Sequence, residues 1–199
     1  MFAITFVATD TNCGTYAYGT NFGQIRLTRD GGNTWIDLDP DKTLPGGIPV
    51  SPPPTVRAIN SIAFDPTTSE TIYVAFSSFN AVSPGKPGHI FKTTNASSTP
   101  PTWVNAGPSD DVPFNVVEVD PRNPSLVYAG SDTGLWVSGD AGATWEKIGL
   151  DRGLPNGASV HDIKINPTTN QTVVFTYGRG AFRLVTDAGA LTNDGRQRR

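Results

Sequence analysis

Few residues in this 199-residue chain can do chemistry: it has 2 His, 1 Cys, 18 Asp and Glu, and 15 Lys and Arg. The most conspicuous acids stand in two octets of one pattern. These are Thr28-Arg29-Asp30-Gly31-Gly32-Asn33-Thr34-Trp35 and Ser138-Gly139-Asp140-Ala141-Gly142-Ala143-Thr144-Trp145. As catalytic or metal-binding acids, Asp30 and Asp140 would need partners converging on them from elsewhere. As turn residues they need only their own octet. Short polar side chains bond nearby backbone, and Gly accepts positive φ. The Thr hydroxyl then closes the loop, and the Trp leaves into a strand where its ring is buried. A looser copy runs through Thr93, Asn95, Ser97, Thr102 and Trp103 around an insertion. The turn reading is adopted for all three.

A second set of candidates comes from register. Apolar segments close on Asp65-Pro66, Asp120-Pro121 and Asn166-Pro167, with Asp10 closing the first. Five residues before the closing acid or amide stand Thr5, Asn60, Asn115 and His161, all polar. Three and one before it, the residues are nearly all apolar. Asn60, Asn115, Asp162 and Glu118 offer the oxygen ligands that Ca²⁺ prefers. His161 beside Asp162 reads as a general base with an orienting acid, and Asp132 as a further carboxylate on the same face. Arg179 suits recognition of a carboxylate or a sugar hydroxyl. The competing readings are plainer. The polar ring holds water in a channel, Glu118 and Lys164 form an ion pair, Arg179 is solvated, and His89 is structural with no evident partner.

Other chemistries are excluded or disfavoured. There is no Gly-x-Ser-x-Gly elbow, HExxH motif or Walker loop. Two His and one Cys do not make an ordinary zinc site. Cys13, the one cysteine, excludes an internal disulfide. A net charge of −3 without a basic stripe argues against a nucleic-acid partner. No apolar run approaches the roughly 20 residues of a membrane helix. Met1–Ala8 lacks a basic flank and reads as a strand, not a leader.

The elements that must position these residues are strands. Gly at 21, Pro at 17 and only 17% charged residues fit a turn-rich all-β chain. Alternating apolar positions and β-branched content define four similar units, 1–39, 56–106, 112–149 and 158–191. In each, an inner strand ends at the Pro turn. A second strand, a Gly turn, a third strand, the Asp turn and a fourth strand follow. The last unit shows no clear fourth strand, though Thr186-Asp187-Ala188-Gly189 begins another turn. Residues 192–199 are a polar tail. Four-stranded antiparallel units at intervals of roughly 45–55 residues predict a β-propeller of about four blades, one domain over 1–191.

The turns at 28–35 and 138–145 resemble Asp-box repeats of bacterial neuraminidases. Asp65-Pro66 with Thr71-Ile72-Tyr73-Val74-Ala75, and Asp120-Pro121 with Leu126-Val127-Tyr128-Ala129-Gly130, resemble blades of oligoxyloglucan-type glycoside hydrolases and sortilin-type receptors. Tyr177-Gly178-Arg179-Gly180-Ala181-Phe182 resembles a closing blade. The resemblance implies a propeller, and relatives that are extracellular or periplasmic. It also implies a hydrolase-like domain holding a small or carbohydrate-like ligand on the face opposite the Asp turns. A Ca²⁺-dependent hydrolase of small esters or lactones, or a non-catalytic binding or assembly module, are the alternatives. Such relatives carry more than four blades, so three readings stand: a fragment, a closed small ring, or part of a larger ring completed by a second copy, as in a homodimer.

Overall fold

The computed structural model describes residues 4–10, 14–46 and 56–184. Cys13, the turn beginning at Thr186 and the 192–199 tail lie outside the described residues. Among the described residues the fold is all-β, with two single-turn 3₁₀ segments at 80–82 and 150–152.

Blade I comprises β1 (Ile4–Thr9), β2 (Tyr16–Thr20), β3 (Ile25–Thr28) and β4 (Ile36–Asp37). Blade II has β5 (Ile59–Asp65), β6 (Thr68–Phe76), β7 (Ile90–Thr93) and β8 (Val104–Asn105). Blade III has β9 (Phe114–Asp120), β10 (Asn123–Ser131), β11 (Gly134–Ser138) and β12 (Glu146–Ile148). Blade IV has β13 (Val160–Ile165), β14 (Thr172–Thr176) and β15 (Gly180–Arg183) among the described residues. Each sheet is antiparallel with strands in chain order, so every blade is a meander from centre to rim.

Four antiparallel sheets match the predicted blade count. The fourth strands are shorter than the Thr-Trp start implied, because Thr34 and Thr144 are used by the turn and not by the ladder. All four inner strands share one irregularity. The register slips between Ile4 and Phe6, Ile59 and Ser61, Phe114 and Val116, and Val160 and Asp162. The extra residue each time is the polar one of the sequence column: Thr5, Asn60, Asn115 and His161. A bulge re-aims the side chain it carries and ends regular pairing, so the four polar residues sit where each inner strand begins.

The blades pack consecutively through three apolar boundaries. Ala17, Leu27 and Leu38 of blade I meet Ile62, Val74 and Phe91 of blade II. Ala63, Tyr73 and Ala75 meet Val117, Val127 and Ala129. Tyr128, Leu135 and Val137 meet Val160, Ile163 and Val174. Inner strands β1, β5, β9 and β13 touch in that order, and no comparable packing joins β13 to β1 among the described residues. Among the described residues the four blades therefore form an arc.

Candidate functional site

The octet acids are consumed by their turns. Asp140 Oδ1 accepts the Ser138 hydroxyl at 2.8 Å and the Thr144 N–H at 2.8 Å, and Oδ2 accepts the Thr144 hydroxyl at 2.6 Å. Asp30 repeats the pattern with Thr28 and Thr34 at 2.7 to 2.9 Å. Asn95 does the same with Thr93 and Thr102 across the longer turn. Bonds from Thr34 and Thr144 hold the Asp30 and Asp140 carboxyls down to about 2. Each turn is tied to the first hairpin of its own blade by one backbone bond. These are Gly31 N–H to Gly14, Ala96 to Glu70, and Ala141 to Ser125. Three copies of the same bond mark the turns as scaffold at one end of the arc.

At the other end, the bulge residues stitch neighbouring blades. Asn60 Nδ2 donates to the Phe114 carbonyl of blade III at 3.0 Å. Asn115 Nδ2 donates to the Val160 carbonyl of blade IV at 3.1 Å and to Asp132 Oδ1 at 2.8 Å. Their amide nitrogens are thus spent on inter-blade contacts. The Ser159 hydroxyl lies 3.3 Å from Asp132 Oδ1 and 3.0 Å from His161 Nε2. The His161 ring rests against Tyr177, centroids 5.7 Å apart. The Tyr177 N–H donates to the Ser159 carbonyl at 2.9 Å, which fixes the turn beside the serine. A continuous polar chain results across the mouth of blades III and IV: Asn115, Asp132, Ser159, His161, Tyr177. Asp132 and His161 are exposed, Ser159 is half-buried, and Tyr177 is 79% exposed. Arg179 follows two residues on in the same turn, also exposed.

The structure corrects the pairing expected for His161. Its polar partner is Ser159, and the acid of the cluster is Asp132. Asp162 instead accepts from Lys164 Nζ at 2.8 Å and from the Ile163 N–H at 2.9 Å. Beyond the bulge Asp162 and Lys164 alternate with Ile163, which is buried in the blade III–IV core, so Asp162 lies on the face away from that core. This also replaces the Glu118–Lys164 ion pair, because Lys164 is taken by Asp162. Ser159 and Tyr177 were not among the predicted site residues. Ser159 precedes the strand and belongs to no column, and Tyr177 was noticed only as part of a turn motif.

Glu118 faces a cleft of about 190 Å³ between the inner strands, lined also by Ala8, Thr9, Ile62, Ala63, Phe64 and Val119. Burial raises its carboxyl to about 7, with Lys164 opposing and Asp162 adding to the shift. Among the described residues, no group of three or more His, Cys, Asp or Glu side chains could hold a metal ion. The four oxygen donors of the calcium reading are divided between inter-blade bonds, the Lys164 pair and this cleft.

His89 has partners that the sequence did not reveal. It is buried between Arg57 and Asp111. Arg57 Nη1 lies 3.1 Å from Nδ1, and Asp111 Oδ1 lies 3.0 Å from Nε2. An Arg can only donate, so Nδ1 accepts and the Nε2–H points at Asp111. Arg57 also donates to the Lys86 and Gly88 carbonyls at 2.9 and 2.6 Å. The group fastens the loop before β7 and keeps Asp111 from other use.

The sequence matches no known family profile and no curated protein. Solved structures share the fold. The GH74 enzyme of Niastella koreensis is similar over 94% of this chain and 29% of its own, with a TM-score of 0.68 and 17% identity. The GH74 xyloglucanase of Xanthomonas campestris is similar over 90% of this chain and 27% of its own, with a TM-score of 0.60 and 17% identity. Ycf48, solved bound to a D1 peptide, is similar over 88% of this chain and 47% of its own, with a TM-score of 0.55 and 12% identity. The chain thus spans less than a third of the two glycoside hydrolase chains and about half of Ycf48. The class defined here is a β-propeller whose structural neighbours include glycoside hydrolase propeller domains.

Proposed function

We propose that this chain is a hydrolase-like propeller element that binds a carbohydrate ligand at the mouth of blades III and IV, on the face opposite the Asp turns. We read those turns as Asp-box repeats. The observation that carries the proposal is the Asp132–Ser159–His161 chain ending on the exposed ring of Tyr177. A sugar presents a C–H face and a rim of hydroxyls. An exposed aromatic ring offers the first a flat apolar surface, and a carboxylate, a hydroxyl and an imidazole offer the second both donors and acceptors. Arg179 on the same turn adds donors for ring or acidic substituent oxygens.

The arrangement favours binding over nucleophilic catalysis. The serine has one hydroxyl proton. Spent on Asp132, it leaves Ser159 Oγ accepting the Nε2–H of His161. His161 is then a donor and not the base that a serine nucleophile requires. A glycosidase needs two carboxyls about 5–5.5 or 6.5–9.5 Å apart. Asp132 is the one carboxylate in this cluster, while Asp111 is engaged by His89 and by the Asn80 N–H at 2.7 Å. Calorimetric titration with xyloglucan oligosaccharides and a glycan panel, with reducing-end release followed in parallel, tests the reading. Saturable binding without turnover, weakened about tenfold or more in Tyr177→Ala and Asp132→Asn, is the expected result. Binding indifferent to both substitutions, or none across the panel, rejects it.

A further inference from the structure

The polar chain at the mouth of blades III and IV has spent its hydrogen-bond donors and kept its acceptors. Asn115 has two side-chain N–H groups. Both are used within the protein, on Asp132 Oδ1 at 2.8 Å and on the Val160 carbonyl at 3.1 Å. A carboxylate can only accept, so the Ser159 hydroxyl gives its one proton to Asp132 Oδ1 at 3.3 Å. The Ser159 oxygen then accepts at its 3.0 Å contact with His161 Nε2, which fixes the neutral imidazole as the Nε2–H tautomer. The backbone N–H groups of Asp132 and Tyr177 are spent as well, on the Pro113 and Ser159 carbonyls. No side-chain N–H or O–H of Asn115, Asp132, Ser159 or neutral His161 is left for a ligand.

What remains is a row of lone pairs. Asn115 Oδ1, Asp132 Oδ2 and His161 Nδ1 have no hydrogen-bond partner among the described residues. Asp132 and His161 are exposed, so a ligand can reach them. Free donors lie to one side, on the Tyr177 hydroxyl and on Arg179 of the same turn, both exposed.

We propose that this site selects a neutral sugar by its hydroxyl protons: at least two free hydroxyls donate, to Asp132 Oδ2 and His161 Nδ1, while acceptor oxygens of the ligand turn toward Tyr177 and Arg179. The inference rests on the carbohydrate reading and narrows it. A hydroxyl can donate or accept, so a free sugar adapts to a rim made only of acceptors. A carboxylate or sulfate placed there cannot. It leaves acceptors facing acceptors and meets the Asp132 carboxylate as a like charge. An O-alkyl or O-acyl group fails for the first of these reasons. Asp132 and His161 thus determine specificity. Asn115 and Ser159 are positioning residues: they occupy the inner carboxylate oxygen and set the tautomer, so the outer atoms stay open.

Calorimetric titration tests this with three probes: a xyloglucan oligosaccharide, its analogues deoxygenated or fluorinated at single hydroxyls, and an oligogalacturonate. Nitrogen-15 spectra of the histidine rings are recorded in parallel, at a pH where they are neutral. Fluorine keeps lone pairs but brings no proton to donate. At two or more hydroxyls, deoxygenation and fluorination are expected to weaken binding alike, by about tenfold or more. The His161 ring should carry its proton on Nε2. Wild type should bind the oligogalacturonate about tenfold or more weakly than the neutral oligosaccharide. Asp132→Asn should narrow that gap, because Asn115 and Ser159 hold the amide oxygen inward, the amide N–H groups turn outward and the like charge is gone. Fluorinated analogues that bind as the parent does, an Nδ1–H tautomer, or a wild-type preference for the oligogalacturonate overturns the selectivity and leaves glycan binding in place. No binding of any oligosaccharide rejects the carbohydrate reading, and this inference with it.

Discussion

Trp145 of blade III donates its indole N–H to the Ala106 carbonyl of blade II at 2.9 Å, and Gly142 in the same turn lies against Ala106. The Asp turn and its tryptophan therefore act as one clasp on the preceding blade. Trp145→Phe keeps most of the ring but orphans the carbonyl, a loss of about 1–2 kcal/mol in urea unfolding. Trp35→Phe, on the open face of blade I, should change monomer stability by less than about 0.5 kcal/mol.

Asp30 and Asp140 make the turns acid-sensitive. Their carboxyls sit at about 2 in the folded chain against an ordinary 3.8. A depressed acid contributes stability that is present above its unfolded value and lost as pH falls through the folded one. The melting temperature should therefore fall between about pH 4 and pH 2. The Asp30→Asn, Asp140→Asn double variant should show a shallower fall and lower melting at pH 7, since an amide keeps the Oδ1 acceptor that Asn95 uses in the third turn but not the second acceptor for the Thr34 and Thr144 hydroxyls. An equally steep acid limb in the double variant would remove the carboxyls from the account.

The blade register was legible because each inner strand ends on Asp-Pro, Asn-Pro or Asp10, which aligned Thr5, Asn60, Asn115 and His161 before any geometry was known. The same alignment could not show that they are bulge residues, since a bulge is a property of two paired strands. Nor could it show which way Asp162 turns. Adjacency to His161 suggested a pair, and the bulge between them sends the two side chains to different partners. The His89, Arg57 and Asp111 group joins three separate segments and leaves no local pattern. Ser159 entered the site through its contact with Asp132 of the neighbouring blade, a consequence of blade stagger that no single-blade repeat encodes.

Glu118 gives the opposite pH dependence. Its carboxyl is raised from 4.5 to about 7 by burial. A raised acid costs nothing while protonated in both states. The folded state loses stability as pH rises from the unfolded value through the folded one, on the order of 3 kcal/mol by pH 8. Glu118→Gln should flatten stability between pH 5 and 8 and raise it at the upper end, read from denaturant midpoints at both values.

Gly130 and Phe175 occupy the same register position in blades III and IV but differ in what lies above them. Gly130→Ala drives a Cβ to 2.5 Å from Val160 and 2.6 Å from Val116, and should cost about 1–3 kcal/mol. Phe175→Ala should leave the monomer within about 0.5 kcal/mol of wild type. Equal losses at the two positions would mean that Phe175 is covered within one chain.

The central claim places the ligand at the mouth of blades III and IV. Amide shift mapping during titration with a xyloglucan oligosaccharide tests it most directly. The account predicts saturating shifts confined to Asn115, Asp132, Ser159, His161, Tyr177 and Arg179, abolished by Tyr177→Ala. Shifts centred on the Asp30 and Asp140 turns, or on the Glu118 cleft, would contradict it.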